Sequence, residues 1–271
     1  MRVTFWGVRG TFPATGAAFA RYGGDTMCVE VECGATRVVL DAGSGLRALG
    51  ARLVALERPS LTHIVLSHLH LDHIMGLSLF GPLWREKSDI IVHAPAECLA
   101  VNEDALASVL SPPLSPIGAG DLPAMLRIEQ FALDGAFVPA TGVVVRTLAL
   151  THQGPCAAIV LEWQGRKLCY VTDHEHGDAE ADERLALAVE GADLLIYDAT
   201  FTDAELAGRR GWGHSTWEHG LRLKKRAGVK LLALAHHDPD RSDIALDALA
   251  ERAAALDSNV FFARQGLSIG L

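Results

Sequence analysis

The chain is predicted to be an α/β protein in which two β-sheets pack together with helices outside. Three features of the sequence lead there. Short β-branched and apolar runs recur from end to end and read as buried strands. Those runs cluster early in each half of the chain. Segments with helical spacing fall between and after them, where they can cover the sheets from outside.

Strands are expected first at Val3–Trp6, Met27–Glu32 and Thr36–Leu40, the last two joined as a hairpin by Cys33-Gly34-Ala35. Asp41-Ala42-Gly43-Ser44-Gly45 is a strand-to-helix loop, followed by a helix over Leu46–Leu56. The loop is glycine-rich but matches neither a dinucleotide fingerprint nor a P-loop, so a structural role is expected. Thr62–Leu66 reads as a strand, Ile74–Trp84 as a buried helix broken near Gly81-Pro82, and Asp89–His93 as a strand. Pro95 can open another helix. Four of the eleven prolines fall within residues 108–125. That stretch is an irregular excursion inside one domain, serving as a lid, a dimer contact or a plain surface loop.

Strands resume at Met125–Leu133, Gly142–Leu150, Ala157–Trp163 and Lys167–Thr172, with a hairpin turn at Gln164-Gly165-Arg166. Helices over Ala179–Glu190, Ser215–Ala227 and Ile244–Leu256 then alternate with strands Ala192–Tyr197, Val229–Ala235 and Val260–Ala263. Ser215-Thr216-Trp217-Glu218 reads as a capping box at the start of its helix. No internal repeat or low-complexity segment is visible.

With 271 residues, 49% of them hydrophobic and 21% charged, the chain has ordinary globular composition and is expected to form a single domain over 1–271. Its formal charge of −9 argues against broad, non-specific nucleic-acid binding. It does not argue against a small anionic substrate, because bound metal ions supply strong local positive charge. No signal segment or membrane-spanning run is expected. The five cysteines contain no C-x-x-C pair and suit a reducing compartment, so the protein is expected in the cytoplasm.

Chemistry concentrates in Ser67-His68-Leu69-His70-Leu71-Asp72-His73, directly after the strand Thr62–Leu66. In extended backbone, alternate side chains share a face, so His68 and His70 can converge on one metal ion. Asp72 and His73 fall at the following turn and can face a second ion. Neutral imidazoles suit Zn, Fe or Mn, and a carboxylate can ligate as well as orient water. Further candidates share one context: His152, Asp173 and His236 each follow the end of an apolar strand.

The set His68, His70, Asp72, His73, His152, Asp173 and His236 resembles that of the metallo-β-lactamase-fold hydrolases. Within them it is most similar to the tRNase Z-like and cyclic-phosphodiesterase branch. Gly213-His214-Ser215-Thr216 resembles the histidine motif of that branch, and Asp193–Phe201 the segment before it. Phe5–Gly10 and Leu40–Gly43 are similar to a bacterial subgroup. The resemblance implies a four-layer αββα sandwich, the metallo-β-lactamase fold. It implies one ion on His68, His70 and His152, a second on Asp72, His73 and His236, and Asp173 bridging them. Asp41 would orient the metal loop from behind. Two divalent ions follow as cofactors, Zn first, with Mn or Fe as alternatives. A homodimer is expected from the same resemblance. Asp25 stands where the subgroup often has Asn and is given no catalytic task. His174, His176 and His237 are expected to be non-ligands.

The reaction implied is attack of a metal-bridged hydroxide on phosphorus, with the ions about 3.5–4 Å apart. Asp72 would steer the nucleophile, and His214 would steady the phosphate or protonate the leaving oxygen. The leading expectation is a phosphodiesterase acting on a small phosphodiester, such as a cyclic nucleotide or cyclic ribose phosphate. A tRNA 3′-processing endonuclease is the first alternative, disfavoured by the charge and by the lack of a long Gly/Lys-rich arm. The basic run Arg222, Lys224, Lys225, Arg226 and Lys230 speaks for it, although such a run is more often a solvated helix face. Lactone, thioester or β-lactam hydrolysis, and a non-catalytic metal-binding regulatory module, are the remaining alternatives.

Overall fold

The computed structural model describes residues 1–57, 60–102, 104–116 and 118–271. Strands β1 (Arg2–Gly7), β2 (Cys28–Cys33), β3 (Thr36–Leu40), β4 (Ser60–Val65), β5 (Ser88–Pro95) and β6 (Met125–Phe131) build one sheet in that order. Strands β7 (Ala136–Ala140), β8 (Val143–Ala149), β9 (Ala157–Trp163), β10 (Arg166–Val171), β11 (Leu194–Asp198), β12 (Leu231–Ala235) and β13 (Val260–Phe262) build the other. The final strand, β14 (Ser268–Gly270), pairs with β1 at the edge of the first sheet. Both sheets are mixed. β3 to β6 run parallel, as do β10 to β13, and the hairpin partners are antiparallel.

Alternation explains why these strands read as continuous apolar runs. Leu168 and Tyr170 of β10, like Leu194 and Ile196 of β11, face the core between the sheets, where they meet Val3, Phe5, Val29 and Leu40. Their neighbours Cys169, Val171, Leu195 and Tyr197 face outward, under the helices. Both faces are therefore buried. Helices α1 (Leu46–Ala55), α2 (Leu71–Ile74), α3 (Ala96–Val101) and α4 (Ala105–Val109) accompany the first sheet. Helices α5 (Ala179–Val189), α6 (Asp203–Leu206), α7 (Trp217–Ala227) and α8 (Asp243–Leu256) accompany the second. Layers thus run helix, sheet, sheet, helix, as expected.

Both short hairpin turns form. Cys33 pairs with Thr36, and Trp163 with Arg166. In the second turn Gln164 (φ 49°) and Gly165 (φ 75°) both take left-handed backbone, the requirement of a two-residue hairpin. Two expectations need correction. The helix expected over Ile74–Trp84 is instead the end of the one-turn α2, followed by 3₁₀ turns at Leu77–Leu79 and Gly81–Trp84. Gly76 packs so tightly against the loop after β3 that a Cβ there would lie 2.0 Å from the Gly43 carbonyl oxygen. That contact pulls the chain off a helical path, and Pro82 prevents its recovery. The capping residue of α7 is Thr216, whose Oγ1 accepts from His219 N at 3.0 Å, and not Ser215. Ser215 is diverted inward, to His176 (2.7 Å) and Tyr197 (2.9 Å).

Within the excursion at 108–125, Leu110 and Ala124 pack with Leu83 and Phe80 outside the first sheet. Ile117 lies outside the described residues. No helix of the described residues is long and apolar enough to cross a membrane.

A buried histidine pair ties β4 to β5. His63 Nδ1 and His93 Nε2 are 3.1 Å apart, with Glu129 of β6 3.4 Å from the far side of His93. Burial, reinforced by His63, pushes His93 down to about 4. The unfolded chain takes up a proton near pH 6.5 that the folded protein refuses until near pH 4. Stability from this pair is therefore present above pH 6.5 and lost as pH falls through that window. Thermal denaturation of His93→Gln should show a shallower loss of Tm between pH 6.5 and 4 than the native protein; parallel curves would refute this.

Candidate metal centre

The site forms where strands end. Asp41 and His236 directly follow β3 and β12; His68, His152 and Asp173 lie just beyond β4, β8 and β10; and Asp198 ends β11. Asp41 (φ 58°), Asp173 (φ 56°) and His236 (φ 58°) all take left-handed backbone, which costs a non-glycine residue of order 1–3 kcal/mol. Three such residues at neighbouring strand ends mark a place where geometry is held against local preference. The main chain crowds in as well: a Cβ on Gly10 would lie 2.1 Å from the His236 ring.

Ligand-type atoms gather in four overlapping groups among the described residues; Asp173 belongs to two of them, one with Asp198, His214 and His236 and one with His68 and His73, and the other two are separate. In these two, the atoms of His68, His70 and His152 lie within 4.8 Å of one another, as do those of Asp72, His73 and His236. Asp173 stands between them. Its Oδ1 is 3.9 Å from His68 Nε2 and 3.7 Å from His152 Nε2. Its Oδ2 is 3.1 Å from His73 Nε2 and 3.2 Å from His236 Nε2. All seven residues expected to be ligands are thus brought together. His174, His176 and His237 are in none of the four groups; His237, for instance, donates to the Ala263 carbonyl at 2.9 Å.

Hydrogen bonds behind the rings fix their tautomers. His152 Nδ1 donates to the Gly213 carbonyl (3.0 Å) and His73 Nδ1 to Asp41 Oδ2 (2.7 Å). The hydroxyl proton of Ser67 goes to Asp41, so its oxygen accepts from His68 Nδ1 at 3.0 Å. The Thr200 hydroxyl donates to the His236 carbonyl, so its oxygen accepts from His236 Nδ1 at 2.9 Å. Each of these four rings, when neutral, turns an Nε2 lone pair inward. His70 differs, with Nδ1 facing His152 Nε2 at 3.2 Å.

The inward atoms are left without donors. His68 Nε2, His73 Nε2, His236 Nε2 and Asp173 Oδ2 are buried with no hydrogen-bond partner. Buried polar atoms in native proteins rarely stay unpaired, and these converge. Divalent cations with imidazole and carboxylate ligands fit this donor set. Electrostatics agree. Burial opposes a charge on His73, yet Asp72, Asp173 and Asp41 outweigh it and hold its pKa well above the ordinary value, a field that favours a proton on Nε2 and would equally favour a metal ion in that proton's place. Burial likewise opposes charge on Asp173, but the surrounding His236, His73 and His68 draw it well below the carboxylate range.

A family profile described as Beta-lactamase superfamily domain matches residues 36–237. The chain belongs to the beta-lactamase superfamily. Its architecture is the metallo-β-lactamase fold, and superfamily relatives of known structure share it across nearly the whole chain. The metallo-beta-lactamase fold protein YhfI from Bacillus subtilis aligns with a TM-score of 0.73 at 23% identity, over 99% of this chain and 98% of that one. The short form of human tRNase Z aligns with a TM-score of 0.72 at 20% identity, over 100% and 99%. Ribonuclease Z of Haloarcula marismortui is 25% identical over 98% of this chain and 96% of its own. The protein is a metal-dependent hydrolase of this superfamily.

Several residues of the site are not singled out by sequence. Asp198 accepts from His214 Nδ1 (3.0 Å) and from Asp173 N (2.9 Å), so it couples two candidate functional residues. Thr11 N donates to Asp72 Oδ2 at 2.7 Å, and Tyr170 donates to Asp41 Oδ2 at 2.7 Å. The only available signal was for Asp198, an acidic residue ending an apolar strand like the other candidates. The basic run on and after α7 is mostly matched by acid: Arg222 pairs with Asp203, Lys224 with Asp257, Arg226 with Glu183 and Lys230 with Asp193. It is a largely paired face, solvated except at Lys224, which is buried.

Asp41 collects donors from Ser67 N, Ser67 Oγ, His73 and Tyr170 while fully buried. Asp41→Ala should therefore strip the orientation of His68 and His73 together. Metal affinity, measured by chelator competition, should fall at least about 10- to 100-fold, with a lowered Tm. Native affinity in that variant would contradict the assignment.

Proposed function

We propose that the protein hydrolyses phosphodiesters at a two-ion centre, with His68, His70 and His152 holding one ion and Asp72, His73 and His236 the other. The observation that carries this reading is Asp173, whose two oxygens face separate groups and would bridge the pair. Zn is the expected metal, with Mn or Fe also suited to the ligands. Such a pair supplies Lewis-acid charge to a phosphoryl group and lowers the pKa of water.

The chain's own groups supply orientation and a proton. Asp72 is fixed by the Thr11 N–H, which leaves its other oxygen to orient a water molecule. His214 stacks 4.9 Å from His236, with its Nδ1 given to Asp198. Burial opposes its charge, but the Asp198 carboxylate wins and raises it to about 9. The Asp198 carboxylate thus orients His214 and favours its protonated form, whose Nε2–H would pass to a departing alkoxide. Asp198 plays the part of orienter and counter-charge, and the N-terminal end of α7 adds favourable potential for an anion.

For the substrate, full-length similarity to proteins named Ribonuclease Z favours an RNA phosphodiester, as in tRNA 3′ processing. That reading goes ahead of the small cyclic phosphodiester expected from the resemblance and the Gly213-His214-Ser215-Thr216 motif. The small substrate remains a second reading because the net charge is −9 and the α7 basic run is neutralised by its partners. We read residues 1–271 as one hydrolase domain. The five buried free cysteines fit a reducing cytoplasm, and a homodimer is the proposed assembly, checked by light scattering.

Precursor tRNA, a cyclic nucleotide, bis(4-nitrophenyl) phosphate and a lactone should be assayed side by side. Precursor cleavage at a defined 3′ site is the expected result; lactone turnover without any phosphodiester turnover would overturn the proposal. In the same assays His214→Ala should lower phosphodiester turnover about 10²- to 10⁴-fold. Asp198→Asn should lower it in the same direction, with metal content retained. Unchanged rates would remove the pair from the mechanism.

A further inference from the structure

Beside the metal centre, a loop of unusual composition reaches the surface: Arg209-Arg210-Gly211-Trp212-Gly213. Trp212 is 59% exposed, although a side chain of this size and apolarity is ordinarily covered. An aromatic path connects it to the site. Ring centroids step from His236 to His214 (4.9 Å), from His214 to Phe201 (5.8 Å) and from Phe201 to Trp212 (6.4 Å). The Arg209 guanidinium lies over Phe201, 5.1 Å from its centroid. The Arg210 side chain is half exposed and donates to the His176 carbonyl.

The loop is held, not loose. Glu175 accepts from Gly211 N (2.8 Å) and Gly213 N (2.9 Å), and the Gln153 amide donates to the Gly211 carbonyl. The Gly213 carbonyl receives His152 Nδ1, so the residue after Trp212 touches a candidate ligand directly. Gly213 has φ 80°, and a Cβ there would lie 2.2 Å from His152 Nδ1, so no other residue fits. An exposed indole on a held loop, two residues after a pair of arginines, is a surface already ordered for a flat partner, which reduces the entropy lost on binding. The loop also places two guanidinium groups beside the site, Arg209 over Phe201 and Arg210 half exposed with Glu175 Oε1 at 3.8 Å.

We propose that Trp212 is the stacking platform for a nucleobase of a single-stranded RNA, next to the phosphodiester to be cleaved, with Arg209 and Arg210 following the strand's backbone. This inference rests on the phosphodiesterase reading and names the part of the substrate that the loop recognises. Stacking on an aromatic ring tolerates any base, because each has a π-face, while arginines supply charge to the phosphates.

The test separates stacking from catalysis. A fluorescently labelled single-stranded oligoribonucleotide, and a matched strand with abasic sugars, are titrated by anisotropy into metal-loaded His214→Ala protein, in which all seven proposed ligands are kept and turnover is slowed. The titration is repeated with Trp212→Ala or Trp212→Phe added. Trp212→Ala should weaken binding of the native strand by about 5- to 140-fold, the loss of one base–aromatic stack. Trp212→Phe should retain most of the affinity, and the abasic strand should respond little to either change. Equal binding by Trp212→Ala, or an equal loss for native and abasic strands, would overturn the inference. Cleavage of the native strand by the otherwise native enzyme is scored separately. Strand binding that depends on Trp212 without cleavage would uphold the platform and refute the hydrolytic reading instead.

Discussion

A neutral imidazole that gives its Nδ1 proton to a fixed acceptor must present a bare Nε2 on its other side. Four histidines of this protein are held that way: His68 by Ser67, His73 by Asp41, His152 by the Gly213 carbonyl and His236 by Thr200. The acceptors stand outside and the lone pairs converge inside, against the carboxylate of Asp173. Three of the converging nitrogens are buried without a partner. Such an arrangement is costly unless a cation enters it. Everything else in the site follows from keeping those rings in place.

The sandwich provides the means. Parallel strands in each sheet deliver their ends to one region, so residues far apart in sequence arrive together. His68 and His73 come from one sheet, His152, Asp173 and His236 from the other, and the core between the sheets locks their separation. Left-handed backbone at Asp41, Asp173 and His236 is the local cost of turning there. Asp41 joins the two halves: it holds His73 and Ser67 of the first sheet's loops while Tyr170 of β10 reaches it from the second. Asp198 does comparable work between Asp173 and His214.

Much of this was legible in the sequence, for definable reasons. His68, His70, Asp72 and His73 announce themselves because strand geometry and a turn act over a few residues. His152, Asp173 and His236 are legible because each follows an apolar strand, and such ends share a side of an α/β sheet. The layers are legible because burial on both faces leaves uninterrupted apolar runs. What escapes is what depends on distant partners. Tyr170 meets Asp41 across 129 positions and Thr11 meets Asp72 across 61, and neither has a local mark. The broken path after α2 depends on Gly76 meeting Gly43, a contact no helical spacing reveals. The edge strand β7 carries no clear strand signal because Pro139 interrupts it, which an edge tolerates and a central strand would not. Trp212 is visible in the sequence, but its exposure is not.

The claim on which the rest depends is that the two facing groups form one two-ion centre. Its most direct test is anomalous diffraction, at the metal absorption edge, from crystals of the native protein grown with Zn. The account predicts two peaks per chain, one among His68, His70 and His152 and one among Asp72, His73 and His236, with Asp173 between them. No peak in either group, or a single ion with the second group empty under saturating Zn, would contradict it.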